Sequence, residues 1–556
     1  MKTKILKLVI LLLIAAQSVN AQYIKEYSKL PGQDVRFAAI IPVSDAPTSN
    51  LYICGNYSTY LFVGEFLQSG DVVWSRKVNL GDTSITINQM IQDSDGNLVI
   101  VGTSINGEFG RAFALKFNPF SKKVSWYQKA TTNSFFWDVE EMGAGGNYVI
   151  GGQETGTGTG NQTDDITVVA NRSTGAMTII SSLNKNVNES IEALVYNEDS
   201  ASIYTTGRYE LLSGSSKFRI CLNKLDAAGN LQWTRSYIES TATSGRYYSE
   251  DMIQHGDTLL IVGAGDDLGT SSIKYLWLIK TDLDGNALLT NKYDITGATN
   301  DGLFSAIKPY DGGYIVYGTL HNGITFSDIF LFNINQSGSV NWAKSYPFST
   351  RTPTTGLYNG SSMTIIGDNI FQVGEKRQDD GTLRGVLMKT SIATGAVNTC
   401  TNDLTCTITP FLDNYDAFQT LTSVTAAVPF VQSVPTKSKH TFNIETTCNV
   451  NGLGMESNHE EIEVEDNVEL KSELMNNMVT VFPNPTSGLA IIQNPANSYG
   501  EVEIQIFDLN GKQLQLFTGI GIQLEVDLTK YAPGTYLVSI TDKATGVVSN
   551  VRVVKD

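Results

Sequence analysis

A short strand of apolar and β-branched residues that ends in glycine recurs seven times along the chain. The final residues of the seven copies are Gly55, Gly102, Gly152, Gly207, Gly263, Gly318 and Gly374. Successive glycines are 47, 50, 55, 56, 55 and 56 residues apart. A period of this length is typical of proteins built from stacked supersecondary units. The pattern therefore predicts a repeat architecture with seven units.

The middle strand of each repeat is apolar on both faces, as in residues 112–115, 275–279 and 329–332. Such strands need cover on both sides. Four-stranded sheets stacked radially around an axis provide that cover, because each sheet lies between two neighbours. Turn sequences such as 95–97 and 311–313 recur at strand-scale spacing, without helical periodicity between them. We therefore predict an all-β chain that forms a seven-bladed β-propeller.

Several repeats carry a tryptophan four residues after a turn glycine, as in Trp74, Trp233 and Trp342. In other repeats this position holds an aliphatic residue, Ile179 or Leu289. A ring that aliphatic residues replace is typical of a buried packing position. We therefore expect these tryptophans to stabilise the blades and to take no part in chemistry.

The two ends of the repeat region predict how the ring closes. Residues 23–28 resemble an outermost strand that has no preceding blade, whereas the seventh repeat supplies only three clear strands before residues 394–397. We expect the N-terminal strand to complete the last blade, because that pairing removes two exposed sheet edges.

The first 21 residues have the pattern of a secretory signal peptide. Lys2, Lys4 and Lys7 precede an apolar stretch at 8–16, and small residues at 19–21 offer a cleavage point. The apolar stretch is shorter than a membrane span, which needs about 20 apolar residues. We expect an exported protein without membrane insertion.

The remaining chain divides into four predicted parts. The propeller occupies 22–400, a cysteine-containing extension 401–452, an acidic linker 453–477 and a small C-terminal β-sandwich 478–556. The linker is rich in glutamate and poor in large apolar residues, so it cannot bury much surface. The last part contains at least six short strand patterns, which favours a small sandwich.

Four ordered motifs in the last part carry a family resemblance. They lie at 481–485, 507–512, 532–536 and 551–555. Their defining residues are Phe482, Pro483, Asn484, Pro485, Gly511, Lys512, Gly534, Tyr536 and Lys555. The motifs resemble the type A C-terminal sorting domain of the type IX secretion system. The resemblance implies passage through the periplasm and across the outer membrane, contact with the secretion machinery, and release or attachment at the cell surface.

The blades resemble bacterial seven-bladed propeller repeats, a resemblance that implies a fold and no activity.

The net charge limits the classes of binding partner, because 39 basic and 56 acidic residues give a formal charge of -17. This charge argues against nucleic acid and anionic membranes, which bind basic surfaces. It suits an extracellular glycan or protein partner, and we expect a monomer.

The five cysteines fall into two groups. Cys54 and Cys221 lie within strands of different blades, where we expect small buried residues. Cys400, Cys406 and Cys448 follow the last blade, and one disulfide among them is expected in an oxidising compartment. The sequence does not select the pair.

Acidic residues recur near the beginning of the innermost strands. They are Asp34, Asp138, Asp251 and Asp301, with Glu189 approximately equivalent. Such residues would crowd one mouth of the central channel and could bind a cation such as calcium. Alternatively, they accept backbone N–H groups in tight turns.

Two other segments, 93–97 and 282–286, resemble the beginning of a calcium-binding loop. Both lack the closing glutamate of such a loop, and we therefore expect them to form turns.

Aromatic residues accompany these acids. Trp137, Tyr247 and Tyr248 either contact a ligand or begin the inner strands and pack inward. The four histidines have no metal-ligand spacing, and no cofactor is expected.

The sequence contains no recognisable set of acid, base and nucleophile. The leading hypothesis is therefore an exported, non-catalytic propeller that acts as a binding or scaffolding module. The alternative is an extracellular polymer-degrading enzyme, a glycosidase or lyase, with carboxylates at the channel mouth. A glycosidase needs two carboxyl groups about 5 to 10 Å apart.

Overall fold

The computed structural model divides the chain into two units, Met1–His459 and Glu460–Asp556. In the first unit it describes residues 22–28, 34–57, 59–105, 110–155, 163–183, 188–210, 218–238, 246–266, 275–295, 300–321, 327–346, 362–378 and 381–397, together with six strands between 402 and 449. In the second unit it describes residues 480–482, 486–493, 501–508, 512–520, 523–542 and 548–555.

Four-stranded antiparallel sheets form the blades of the first unit, and blade 7 takes its outermost strand from the N-terminus. That strand is β1 (Tyr23–Ser28). Blades 1 to 3 comprise β2 (Val35–Pro42), β3 (Leu51–Tyr57), β4 (Tyr60–Phe66) and β5 (Val72–Asn79); β6 (Ser84–Gln92), β7 (Leu98–Ile105), β8 (Gly110–Asn118) and β9 (Lys123–Ala130); and β10 (Ser134–Glu141), β11 (Tyr148–Thr155), β12 (Thr163–Ala170) and β13 (Met177–Leu183).

The remaining four blades repeat the same order from inner to outer strand. Blades 4 and 5 comprise β14 (Glu189–Asn197), β15 (Ser202–Glu210), β16 (Phe218–Asp226) and β17 (Leu231–Ile238); and β18 (Arg246–His255), β19 (Thr258–Asp266), β20 (Tyr275–Asp282) and β21 (Ala287–Ile295). Blades 6 and 7 comprise β22 (Asn300–Tyr310), β23 (Gly313–His321), β24 (Ser327–Asn335) and β25 (Val340–Tyr346); and β26 (Met363–Ile366), β27 (Asn369–Arg377), β28 (Leu383–Ser391) and β1.

Ring closure follows the sequence-based prediction. Strand β1 pairs antiparallel with β28, placing Tyr23 opposite Lys389 and Tyr27 opposite Gly385. Buried apolar clusters lie between neighbouring blades all around the ring, including blades 7 and 1. A cluster at every blade boundary means that each sheet is covered on both faces, so the prediction of a closed seven-bladed propeller is confirmed.

A β-bulge explains the glycine that defines the repeat. In six blades the inner strand carries one extra residue, at Ala38, Asn88, Trp137, Glu192, Glu250 and Ser305. The repeat glycine of the second strand pairs with the residue directly before this bulge. At Gly207, for example, a Cβ atom would lie 1.8 Å from the Ser190 carbonyl oxygen. Only glycine allows so close an approach of two backbones.

The tryptophans pack as predicted. Trp342 on the outer strand of blade 6 lies against Gly395 in a turn of blade 7, and its Nε1–H donates to the Ile392 carbonyl at 2.9 Å. Trp233 and Gly285 make the equivalent contact between blades 4 and 5. Both glycines have positive φ, 62° and 79°. The indole therefore stabilises the contact between neighbouring blades.

Six strands after blade 7 form a belt that the sequence did not predict. They are β29 (Asn402–Asp403), β30 (Cys406–Pro410), β31 (Asn414–Ala417), β32 (Phe430–Gln432), β33 (Thr436–Lys439) and β34 (Asn443–Asn449). In this order they add a fifth, antiparallel strand to the outer edges of blades 6, 5, 4, 2, 1 and 7. The belt strands thus reach the blades in the reverse of the order in which the blades follow one another along the chain.

The second unit contains two sheets that share one apolar core. One sheet has β35 (Thr480–Phe482), β36 (Leu489–Gln493) and β39 (Gln523–Asp527); the other has β37 (Glu501–Asp508), β38 (Gln513–Ile520), β40 (Gly534–Asp542) and β41 (Val548–Lys555). Ala490 and Val526 of the first sheet pack with Ile504, Val538 and Val553 of the second. The predicted small β-sandwich is confirmed.

Candidate functional site

A cavity of about 420 Å³ lies where the inner strands end. Its walls come from blades 6, 7, 1, 2 and 3, which are consecutive around the ring, so the cavity belongs to the central channel. The wall residues are Ile40, Ile41, Pro42, Ser44, Asp45, Gln89, Met90, Ile91, Gln92, Glu140, Lys308, Met363 and Thr364. The wall therefore combines an apolar surface with amides, hydroxyls and three ionisable side chains.

Glu140 and Lys308 occupy one and the same position of the repeat, three residues after the bulges of blades 3 and 6. In blades 1, 2, 4 and 5 this position is aliphatic, and its residues are Ile41, Ile91, Val195 and Ile253. Sequence reasoning missed both charged residues. An alignment of the repeats on their bulges reveals them as charged exceptions in an apolar position.

The electrostatics of the cavity make Glu140 a hydrogen-bond donor. Burial and the nearby Asp138 raise the pKa of Glu140 to about 8, although the positive charge of Lys308 acts in the opposite direction. At pH 7 the Glu140 carboxyl is therefore mainly protonated. The cavity offers a ligand one carboxylic acid and one ammonium group from different blades.

Asp138 and Asp251, two of the predicted site residues, directly follow the bulges of blades 3 and 5. Each carboxylate accepts an N–H from the next blade, Leu194 for Asp138 at 2.7 Å and Ile307 for Asp251 at 2.9 Å. Asp138 also accepts the Gln89 side-chain amide at 2.8 Å. Burial raises the pKa of Asp251 to about 7, while Lys308 opposes the shift. Both carboxyls thus connect neighbouring inner strands. They accept backbone N–H groups, but from a strand of the next blade and not in the tight turns that the sequence suggested.

The other predicted acids lie at a different level of the channel. Asp34 precedes β2 and accepts the Leu383 N–H at 2.9 Å, and Glu189 is the buried first residue of β14. Asp34 lies four residues before the bulge of blade 1, whereas Asp138 directly follows the bulge of blade 3. The two repeat positions differ by five residues, which corresponds to roughly 16 Å along a strand. The side chain of Asp301 lies outside the described residues. The described acids therefore occupy two levels and do not share one ring.

Two glutamates occupy the bulges of the adjacent blades 4 and 5. Glu192 accepts the Ser190 hydroxyl at 2.6 Å and lies 3.6 Å from the Arg208 Nε. Glu250 is fully buried, and neither of its carboxyl oxygens has a hydrogen-bond partner among the described residues. Burial and then the charge of Glu192 raise the pKa of Glu250, with Arg208 opposing and Asp251 adding to the shift. Folding therefore favours the neutral form of the Glu250 carboxyl.

This arrangement predicts that Glu250→Gln stabilises the protein at pH 8. A carboxyl whose pKa is raised by folding favours the folded state at low pH, and that advantage disappears as the pH rises from the unfolded to the folded pKa. Glutamine is already neutral, so the variant should melt at least about 2 °C above the parent at pH 8. The gain should vanish near pH 4. Glu198→Gln, in an exposed turn, is the control; an equal gain there or at both pH values would contradict the assignment.

The predicted aromatic residues divide into two kinds. Trp137 stacks on Phe135 with ring centroids 5.9 Å apart and an interplanar angle of 8°, and Tyr248 lies 5.7 Å from Phe218. Trp137 and Tyr248 are partly exposed. Tyr247 is buried in the cluster between blades 4 and 5. Tyr247 therefore packs inward, whereas the other two rings keep part of their surface exposed to solvent.

The calcium-loop-like segments form turns. Asp93 accepts the Asn97 N–H at 2.8 Å and also contacts Lys116 at 2.8 Å, while Asp282 accepts the Asn286 N–H at 2.8 Å. Both carboxylates therefore accept hydrogen bonds that stabilise their own turns. Across the described ranges, no group of three or more His, Cys, Asp and Glu residues is placed to hold a metal ion.

Cys54 and Cys221 are buried, as the sequence predicted, and neither is in a disulfide. The belt places Cys406 on blade 5 and Cys448 on blade 7, with blade 6 between them. Because a disulfide requires Cα atoms within roughly 7 Å, this placement excludes that pair. Cys400 lies outside the described residues, and the predicted disulfide stays a prediction.

Motif residues of the C-terminal unit stabilise its sandwich. The buried Lys555 ammonium donates to the Thr529 carbonyl at 2.9 Å, and the Tyr536 hydroxyl donates to the Ala532 carbonyl at 2.5 Å. The Lys512 N–H donates to an Asp508 carboxylate oxygen at 3.0 Å. The last motif therefore anchors the final strand to the turn before β40.

The remaining motif residues are placed only in part. Gly534 is the first residue of β40, and Phe482 is the last residue of β35. The side chain of Phe482 and all of Pro483, Asn484, Pro485 and Gly511 lie outside the described residues. Their predicted role in sorting stays a prediction.

Comparison with known families identifies the C-terminal unit. Residues 480–555 match the family model described as a secretion system C-terminal sorting domain. A search of curated proteins found no match to the chain. Within the described part of the chain, no helix has the length and apolar character needed to span a membrane.

Three solved structures are similar to the chain at 10% sequence identity. An α-L-arabinanase of Penicillium chrysogenum, complexed with arabinobiose, has a TM-score of 0.38, with coverage of 56% of this chain and 94% of the other. Kuenenia stuttgartiensis hydrazine synthase has a TM-score of 0.41, with 66% and 100% covered. PorZ, a bacterial surface component of the type IX secretion system of Porphyromonas gingivalis, has a TM-score of 0.15, with 94% and 93% covered.

Proposed function

We propose that the propeller is a non-catalytic binding module. The type IX sorting domain at residues 480–555 directs the export of the protein to the cell surface or extracellular space. The ligand of the propeller is a neutral polar group, such as the end of an extracellular glycan, that enters the axial cavity. The observation that carries this proposal is the pair Glu140 and Lys308, which places a carboxyl and an ammonium in an otherwise apolar position of the repeat.

The chemistry of the cavity suits a sugar. A protonated Glu140 can both donate and accept, the Lys308 ammonium donates, and Gln89 and Gln92 add amide groups. Apolar side chains such as Met90 line the wall beside them. Ligand sites commonly combine an apolar wall with a few convergent polar groups.

The nearby carboxylates favour binding over hydrolysis. Asp138 and Asp251 already accept N–H groups from their own and the next blade, which fixes both side chains in structural roles. A glycosidase requires an acid and a second carboxylate that are both free to act on the substrate. Glu140 supplies one candidate acid, and the other carboxylate of the cavity wall, Asp45, belongs to an exposed loop after β2 on a different blade.

We predict that Lys308→Ala weakens glycan binding at least about tenfold, because the variant loses a charge-assisted hydrogen bond. The exported protein would be screened on a glycan array, and the best ligand then titrated by calorimetry. Glu140→Gln should bind nearly as well as the parent at pH 7, since it preserves a neutral donor and acceptor. Lys123→Ala, at the start of the outer strand of blade 2, is the matched control.

Two results would contradict this function. Rapid turnover of a polysaccharide by the parent protein, abolished in Glu140→Gln, would establish an enzyme. Binding that is unchanged in Lys308→Ala would move the ligand away from the axial cavity.

A further inference from the structure

The boundary between blades 4 and 5 carries a pair of buried acids. Their bulge residues are Glu192 and Glu250, with relative exposures of 1% and 0%. The charge of Glu192 acts on Glu250 across the boundary. The bulge residues of the other blades with a described bulge are uncharged: Ala38, Asn88, Trp137 and Ser305. Two neighbouring blades thus place an acid where the rest of the repeats have none.

A hydroxyl of blade 5 faces the same boundary. The residue directly before each bulge packs against the preceding blade, as Phe136 does with Val101 of blade 2. In blade 5 this residue is Ser249, whereas blades 1, 2, 3, 4 and 6 have Phe37, Ile87, Phe136, Ile191 and Phe304. Ser249 therefore brings an oxygen toward blade 4, the blade of Glu192, in a position that is large and apolar elsewhere.

Three buried oxygens at this boundary have no hydrogen-bond partner among the described residues. They are both carboxyl oxygens of Glu250 and the hydroxyl oxygen of Ser249, and both residues are fully buried. Buried polar atoms normally have a partner, and one without it commonly marks the position of an ion or a water. Carboxyl and hydroxyl oxygens are the ligands that hard cations prefer. The unsatisfied atoms therefore suit a cation.

The charges around the pair leave one negative charge unbalanced. The Arg208 Nε lies 3.6 Å from a Glu192 carboxyl oxygen, so Arg208 balances Glu192. The adjacent Asp251 also acts on Glu250, and the charge of Lys308 opposes that of Asp251. An ionised Glu250 has no cation of its own, and an uncompensated buried charge is costly. A proton removes this charge at low pH, and a cation of single charge can replace the proton at higher pH.

We propose that Glu192, Glu250 and Ser249 form a binding site for a monovalent metal cation, with the ion taking the place of the Glu250 proton in alkaline solution. The ion joins the inner strands of blades 4 and 5 through oxygens of both. A divalent ion fits less well, because its second positive charge would lie close to Arg208. None of the three residues lines the axial cavity, so this site is independent of the glycan site proposed above.

Thermal melting of the full-length protein in equal concentrations of sodium chloride and choline chloride at pH 8 tests this site. Choline is a monovalent cation that is too large for a buried site, so the difference in melting temperature measures sodium binding. We expect the parent to melt at least about 2 °C higher in sodium chloride. The difference should disappear in Glu250→Gln, and it should disappear in the parent at pH 5, where a proton occupies the carboxyl. Ser249→Ala leaves every charge in place and should reduce it.

Glu198→Gln, in an exposed turn, is the control and should keep the full difference. In choline chloride, Glu250→Gln should still melt above the parent, which shows that this variant is folded. Equal melting of the parent in the two salts would overturn the proposal. An equal effect of sodium in the parent and Glu250→Gln would also overturn it, because the ion would then bind elsewhere. A larger shift with calcium chloride at the same ionic strength, lost in Glu250→Gln, would contradict the assignment to a singly charged ion.

Discussion

Replacing Gly207 by alanine should lower the free energy of unfolding by more than about 3 kcal/mol. Gly207 pairs with Ile191, directly before the bulge of blade 4. A Cβ atom there would meet the Ser190 carbonyl oxygen at 1.8 Å and the Ile191 Cα at 3.1 Å, both of them backbone atoms. The inner strand cannot move away without breaking its pairing, so the bulge itself must be lost. Denaturant unfolding of parent and variant measures the effect.

Gly256→Ala is the matched control for this substitution. Gly256 has a φ of 59°, and an added Cβ atom would meet nothing within 4 Å. The control therefore measures only the backbone strain of a left-handed residue, roughly 1 to 2 kcal/mol. A loss at Gly207 no larger than at Gly256 would mean that the bulge does not require glycine.

Replacing Tyr27 by alanine should destabilise the protein by about 3 to 5 kcal/mol, the range for large buried side chains. Tyr27 belongs to β1 of blade 7, yet its ring contacts Phe37 and Phe66 of blade 1 at centroid distances of 4.9 and 5.7 Å. Its hydroxyl donates to the Gly70 carbonyl at 2.6 Å. The side chain thus joins the first and last blades, and its loss should open the ring at that boundary.

Tyr27→Phe separates the two contributions. This variant keeps the ring contacts and removes only the hydroxyl, so the expected loss is about 1 kcal/mol. Thermal melting of both variants checks the difference. Equal losses would show that the hydrogen bond to Gly70, and not the apolar contact, holds the two blades together.

The sequence predicted the fold well because its repeat has a direct physical cause. Each repeat glycine marks the same close approach between the first two strands of a blade, as at Gly207 and Ser190. The apolar middle strands indicated cover on both faces, and the clusters between the blades confirm it. The N-terminal strand could be assigned to blade 7 because the last repeat lacked an outer strand.

The belt could not be predicted in the same way. Its strands have two to seven residues, and all except β29 pair with edges that are more than a hundred residues away in the chain. Strands this short have no periodicity of their own that would identify them. Their pairing depends on the order of blades around a closed ring, which only the structure provides.

The site was predicted only in part. The sequence placed the acidic residues together at one mouth of the channel, whereas the described ones lie at two levels, and Asp138 and Asp251 accept backbone N–H groups from the next blade. Glu140 and Lys308 escaped notice because each looks like an ordinary charged residue in its own strand. Their significance appears only after the bulges align the repeats and show an aliphatic residue in the equivalent position.

The central claim is that the ring is closed, because an axial cavity with walls from five consecutive blades exists only in a closed ring. Hydrogen exchange of residues 23–28 in the full-length protein tests this claim most directly. A closed ring predicts that Tyr23–Ser28 is as strongly protected as β28, its neighbour in blade 7. Exchange of Tyr23–Ser28 at the rate of an unstructured peptide would contradict ring closure and, with it, the proposed site.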